Sequence, residues 1–484
     1  MKVSLIRIIE FFNVEEPIHP RDRIPSFELL NIAAFLEKNK IKYKHFDNEV
    51  MHLDEVSFQK ISLKEKSDVF IIHFQPFVNQ EVIDLIKKLK NKNKNCIVIV
   101  FSPIVDQQTE LFLKQSHADF AVFGETEESV FELIEFISKY KNKYLSQIIK
   151  SEVAGIAFLH HKKLIRYKLR NQINLDALPF MAHHLLYENF PIRKDSYQVT
   201  SKSVFVRNKI KWGFLLSSRG CPFHCNFCSP SIRNSVGKRY RFQSAKRTAD
   251  EIEYLVNNFG VNAISFEDDL FTINRGRVID LCKEIINRKI KISWTVATRL
   301  DSLDLELLQW MKKAGCFGMS LGVESGSDRI LALIKKGEKL SDLKRGMSLL
   351  HTVGIAATTN LIIGHPTETI EEIYQTLKLA KELKPVFIHL HYLTPYPGTE
   401  IFSKYQSKLT EFKDFSHWKA HDFNISAVDT DILQGMMKKM YLSYYLNFSY
   451  LKTYLRYRYQ YYFYNFSFEL NFLTNTLKYL FSKS

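Results

Sequence analysis

Cys221, Cys225 and Cys228 stand in the run Ser218-Arg219-Gly220-Cys221-Pro222-Phe223-His224-Cys225-Asn226-Phe227-Cys228, just after the apolar stretch Trp212-Gly213-Phe214-Leu215-Leu216. Thiolates are the soft ligands of iron–sulfur clusters and of zinc. The C-x3-C-x2-C spacing holds three of them in one short loop, enough to ligate three irons of a cubane. The next cysteine is Cys282, so a fourth iron would stay open to a small molecule. The same residues admit a zinc site made by Cys221, Cys225, Cys228 and His224. Structural zinc sites join two separated ligand pairs, and no second pair follows here.

A loop of this kind does chemistry only where a scaffold brings other groups to it. From residue 211 one unit recurs six times, with strands expected over 214–217, 263–266, 292–297, 318–322, 358–363 and 387–393. Helical patterns over 248–257, 277–288, 303–313 and 370–383 lie between them. Repeated strand–helix units predict a parallel barrel, partial because it has six units rather than eight. Such barrels keep their chemistry at the carboxyl ends of the strands. The ends here read, in order, the cysteine loop, Glu267-Asp268-Asp269, Thr298-Arg299, Gly322-Val323-Glu324-Ser325-Gly326-Ser327, Gly364-His365-Pro366 and Thr394-Pro395-Tyr396-Pro397-Gly398. Carboxylates at this rim suit an ammonium or a ribose diol, and an arginine suits a carboxylate. Asp268 and Asp269 also read as a helix cap, and Glu324 as half of a structural ion pair.

Upstream, residues 1–145 alternate strands over 3–9, 43–47, 69–74, 96–101 and 121–123 with helices over 27–38, 81–89 and 127–138. This alternation predicts a doubly wound parallel sheet, whose ligand sits beyond the carboxyl ends of the strands. Residues 146–210 read as a connector containing a hairpin and the turn-forming segment Asp176-Ala177-Leu178-Pro179-Phe180. Residues 211–405 form the barrel and 406–484 a helical tail. The fold class is therefore α/β, a Rossmann-like sheet, a partial (βα)6 barrel and a helical, aromatic-rich cap.

The cysteine loop and the Gly322–Ser327 run resemble the radical SAM superfamily, and the resemblance extends over about 210–405. It implies a [4Fe-4S] cluster on Cys221, Cys225 and Cys228. The open iron then binds S-adenosylmethionine, which is cleaved reductively to methionine and a 5′-deoxyadenosyl radical. The family pattern carries cofactor contacts onto Glu267 and Asp268 for the methionine amino group, and onto Glu324 and Ser325 for the ribose and methionine end. It carries Phe227, Gly364, Pro395 and Gly398 onto the adenine, and Arg299 is read as the partner of the methionine carboxylate. Residues 24–36 and the run Asp119-Phe120-Ala121-Val122-Phe123-Gly124-Glu125-Thr126-Glu127-Glu128 look like the cobalamin-binding domain that precedes many such cores. The glycine-rich turn usual after the fourth strand is replaced by Phe101-Ser102-Pro103-Ile104-Val105-Asp106, and no D-x-H-x-x-G run is present.

The resemblance thus implies a cobalamin-dependent methylase or a relative of the anaerobic magnesium-protoporphyrin ester cyclase, acting on an unactivated carbon of a small or lipid-like molecule. An electron donor such as flavodoxin or ferredoxin would serve it. The same core without cobalamin, performing an oxidation, cyclisation or rearrangement, is the second reading. A zinc-dependent nucleic-acid binder is a third, drawn from the net charge of +16, though the lysines are scattered rather than clustered. A tRNA methylthiotransferase needs three further cysteines in the N-terminal region, where only Cys96 occurs.

Six cysteines in 484 residues make no disulfide framework and fit a reduced, cytoplasmic compartment. Cys96, Cys282 and Cys316 read as small buried residues. From Met436 on, tyrosines crowd together with Lys452, Arg456 and Arg458. They suit a cap over the barrel, peripheral contact with a membrane, or stacking on bases.

Overall fold

The computed structural model describes residues 1–9, 24–51, 53–74, 79–187, 210–228, 239–408, 424–458 and 474. These form two compact units, one within residues 1–187 and one from 210 onward.

The first unit is a seven-stranded sheet of β1 (Val3–Ile8), β2 (Tyr43–Asp47), β3 (Val69–Phe74), β4 (Ile97–Phe101), β5 (Phe120–Val122), β6 (Ile156–His160) and β7 (Lys163–Arg166), in the order β2-β1-β3-β4-β5-β6-β7. Strands β1 to β5 run parallel. Strands β1 and β4 are buried along their whole length, the mark of a sheet with helices on both faces. The helix Phe27–Lys38 starts where the Ser26 hydroxyl accepts from the Leu29 N–H at 3.2 Å. Strand order reverses between β1 and β3, which puts the crevice of a doubly wound sheet there. After β4 only Ser102 precedes the helix Pro103–Ser116, whose proline occupies a first-turn position that needs no N–H donor. After β5 the backbone turns through Gly124 at φ +80°, a conformation that glycine adopts without strain.

The hairpin expected inside the 146–210 connector instead belongs to this sheet. β6 pairs antiparallel with β5, and β7 with β6. Ile156, Ala157 and Phe158 are buried by that docking, and a free hairpin would leave them in water. Cys96, Cys282 and Cys316 are all free and buried, and burial pushes the Cys282 thiol up to about 12.

The second unit holds β8 (Trp212–Leu215), β9 (Ser218–Arg219), β10 (Arg241–Phe242), β11 (Ala263–Phe266), β12 (Ser293–Thr298), β13 (Cys316–Glu324), β14 (Ala356–Ile363) and β15 (Phe387–Tyr392). β9 and β10 form a small antiparallel ribbon, and the other six strands a parallel sheet in the order β15-β14-β13-β12-β11-β8. Parallel strands in chain order place all six carboxyl ends on one rim, as the repeated sequence unit requires.

A partial barrel has open edges, and β15 is one of them. The helix Thr430–Tyr445 covers it with tyrosine hydroxyls. The Leu390 N–H donates to Tyr441 Oη at 3.0 Å, and the Ile388 N–H to Tyr445 Oη at 3.2 Å. The Tyr444 hydroxyl donates to the Pro385 carbonyl. A cap over the barrel is what the sequence leads one to expect of this region, and Tyr459, Tyr461, Tyr462 and Tyr464 lie outside the described residues. Tyr441→Phe leaves a buried N–H without its acceptor and is expected to cost about 1–3 kcal/mol in urea unfolding. An unchanged midpoint would show that β15 does not rely on this bond. No helix among the described residues is long and apolar enough to cross a membrane.

Candidate functional site

Residues after β8 reach the rim through the wholly buried Ser217 and through Gly220, whose φ of +90° turns the chain outward. Cys221 and Cys225 are then half-buried and Cys228 exposed, none of the three in a disulfide. Burial pushes the Cys221 and Cys225 thiols up. Among the described residues no group of three His, Cys, Asp or Glu side chains is arranged to hold a metal ion. A cubane takes one thiolate per iron, so its ligands need not converge on a point as those of a lone zinc must.

Asn226, which belongs to no motif, pins this loop from within. Its N–H donates to the Ile334 carbonyl at 3.1 Å and its side-chain amide to the Leu333 carbonyl at 2.8 Å. Its own carbonyl accepts from the Ile401 N–H at 3.2 Å. Phe227 packs against Leu393, Ile401 and Ile425 beyond β15. The loop is thus tied to the segments that follow β13 and β15, the rim of the same sheet.

The acids after β11 divide in role. Asp268 is fully enclosed and accepts from the Ser217 N–H at 3.3 Å and the Ser217 hydroxyl at 3.0 Å. Burial pushes its carboxyl up, against the pull of Arg277. Arg277 in turn donates to the carbonyls of Gln243, at 2.9 Å, and Ser217, at 3.3 Å. Asp268 therefore anchors the base of the cysteine loop through Ser217. Glu267 is half-buried at the strand end and accepts from the Ser265 hydroxyl.

Arg299 is likewise bonded within the protein. Its fork is taken by Asp301, at 3.0 and 2.7 Å, and by the Lys336 carbonyl, at 2.7 Å. The guanidinium stacks 3.7 Å over the Phe223 ring and supports the cysteine loop from below. A guanidinium so engaged has little left for a ligand carboxylate. A second buried cation beside this loop is Lys336, which no motif marks. Its ammonium lies 3.2 Å from Glu324 and 3.5 Å from Glu338, and it pulls the Cys225 thiol downward against burial. Burial works against the Lys336 charge, but the two carboxylates outweigh it and leave the pKa raised.

Glu324 ends β13 at φ +66°, where the register with β14 slips. Glycine at 322 leaves room for the ends of the Glu324 and Lys336 side chains. A Cβ there would meet the Lys336 ammonium at 2.8 Å and collide with the Glu324 carboxylate. Ser325 is wholly buried, accepts from the Ser327 N–H at 3.2 Å and lies 3.4 Å from the Thr376 hydroxyl, so it shapes the turn.

Beyond β14, Gly364 takes φ +86°, and Glu368 clasps the turn by accepting from the N–H groups of Gly364, at 2.7 Å, and His365, at 3.1 Å. Pro395 is buried, and Gly398 is exposed at φ +87°.

Burial pushes the Glu368 pKa from 4.5 up to about 8. The folded protein therefore keeps a proton that the unfolded chain releases, and this favourable contribution is full below about 4.5 and lost as pH rises through about 8. Glu368→Gln cannot ionise. It is expected to be more urea-resistant than the wild type near pH 9, with the advantage shrinking toward pH 5. Parallel curves at both pH values would count against a proton on Glu368.

Comparison with known proteins supplies the family. The radical SAM superfamily model matches residues 215–380. An uncharacterized methyltransferase of Pyrococcus horikoshii is 30% identical over 427 residues, covering 86% of this chain and 87% of that protein. The anaerobic magnesium-protoporphyrin IX monomethyl ester cyclase of Rubrivivax gelatinosus is 31% identical over 243 residues, half of this chain but only 42% of the cyclase. The fold superposes on OxsB, a cobalamin-dependent S-adenosylmethionine radical enzyme, with a TM-score of 0.70 at 17% identity, covering 98% of this chain and 72% of OxsB. With the cysteine loop, the polar rim and a near full-length relative in agreement, this chain belongs to the radical SAM superfamily, enzymes of the [4Fe-4S] cluster and S-adenosylmethionine.

Proposed function

We propose that this protein is a cobalamin-dependent radical SAM C-methyltransferase acting on a small molecule. The observation that carries the reading is one rim bearing three cysteine thiols beside the buried Glu324–Lys336 pair, in a chain that also holds a doubly wound sheet. Cys221, Cys225 and Cys228 would hold the cluster, which when bound passes an electron to the sulfonium of S-adenosylmethionine and so releases the adenosyl radical.

This chain's own residues would bind and orient that molecule. Glu267 would receive the methionine ammonium, in place of the enclosed Asp268. Glu324 would take the ribose, and Phe227, Gly364, Pro395 and Gly398 would wall the adenine. Lys336, ion-paired to Glu324, would hold that carboxylate in place at the rim. Ser325 would keep the Glu324 turn in shape. No side chain has to act as a base, because the radical removes a hydrogen atom.

Cobalamin, when bound, would supply the methyl group. In its favour is the β2-β1-β3-β4-β5 order. The second reading, adenosyl-radical chemistry without cobalamin, draws on the direct passage from β4 through Ser102 into a helix, which leaves no glycine turn there.

The test is anaerobic purification with cobalamin supplied, counting iron and cobalt per chain and the products of S-adenosylmethionine. About four irons with one cobalt, and both 5′-deoxyadenosine and S-adenosylhomocysteine, are expected. Iron and 5′-deoxyadenosine without cobalt would replace the lead reading by the second, and a chain lacking iron would refute both.

A further inference from the structure

We propose that the helix Phe448–Arg458 docks this protein on a bilayer surface carrying anionic lipids. Phe448, Leu451 and Leu455 recur three and four residues apart on one face of the helix and are 70%, 46% and 50% exposed, with Leu446 just before them at 78%. Soluble helices turn such a stripe toward a core. Here the opposite face is the one turned inward. Thr453 and Tyr457 are buried, and the Tyr457 hydroxyl lies 3.1 Å from Nδ1 of His351. The helix is held with its leucines facing out.

Charge selects the occupant. The helix contains Lys452, Arg456 and Arg458 and no acid, and the whole chain carries +16. The Lys452 ammonium sits 5.2 Å from the Phe448 ring, so cation and apolar stripe share one surface. Basic residues flanking exposed leucine and phenylalanine are the pattern of a helix lying in a lipid interface. A second copy would bring the same positive charges against themselves, and a nucleic-acid backbone would leave the leucines in water. A convex helix face offers no groove to a folded partner, whereas acyl chains yield to it. Contact of this kind is peripheral, since no described helix is able to span.

The test is co-sedimentation of the full chain with vesicles of phosphatidylcholine alone or mixed with phosphatidylglycerol. The wild type is expected to pellet with the anionic vesicles, and less so as added salt screens the charges. The double variant Leu451→Glu/Leu455→Glu, altered only at exposed positions, is expected to bind at least about tenfold more weakly with unchanged circular dichroism and iron content. A wild type that stays in the supernatant with both vesicles overturns the proposal. So does a variant that binds as well as the wild type, or a wild-type dimer in sedimentation velocity that the variant abolishes. None of these readouts depends on cobalt or turnover, so this inference and the enzymatic one fail separately.

Discussion

Cys225→Ala is expected to leave a folded chain that holds almost no iron. The loop does not rely on the thiol for its shape. Asn226 holds it through three hydrogen bonds to Leu333, Ile334 and Ile401, and the Cys228 N–H still finds the Cys225 carbonyl at 3.2 Å. Apo-protein stability should therefore change by no more than about 1 kcal/mol, the ordinary range for a half-buried truncation outside a packed core. The cluster has no such reserve. A cubane held by three thiolates loses a third of its protein ligands and opens a second iron to water. Iron should fall from about four per chain to well below one, with loss of the visible absorbance and of 5′-deoxyadenosine formation. Unchanged circular dichroism beside lost iron is the expected pair of results. Retained iron would mean that the cluster ligands lie elsewhere.

Lys336→Met is expected to damage the fold itself. Lys336 is buried between the carboxylates of Glu324 and Glu338, and Glu338 is fully enclosed, with Arg299 as its other cation at 3.7 Å. Burial pushes the Glu338 carboxyl up, and Lys336 and Arg299 hold it back. Removing the ammonium leaves Glu324 and Glu338 under-compensated away from water, a change that costs about 3–5 kcal/mol. The free energy of unfolding in urea should show that loss, and adding Glu324→Gln should restore part of it by removing one of the stranded charges. A single variant within about 1 kcal/mol of the wild type would mean that water reaches the network. Equilibrium dialysis of the reconstituted protein with S-adenosylmethionine reads the other role proposed for Lys336, and weakened binding by a still-folded variant would separate it from stability.

Local pattern alone determined a good deal of this molecule. The three cysteines lie within eight residues, so their proximity is a property of the chain and survives any packing. The repeated strand and helix periods place Glu267, Arg299, Glu324, Gly364 and Pro395 after successive parallel strands, hence on one rim. What those side chains do once there is a matter of partners, and partners come from packing. Buried polar groups must be satisfied by whatever neighbours the fold supplies. Asp268 meets Ser217, and Arg299 meets Asp301 and Phe223, so both support the loop. Lys336 and Asn226 had no motif to mark them. They join the site because the turn after the helix Asp328–Leu333 folds back beside a loop more than a hundred residues earlier in the chain. The tyrosine hydroxyls over β15 and the docking of the β6–β7 hairpin arise in the same way, as tertiary answers to an open sheet edge and an exposed apolar face.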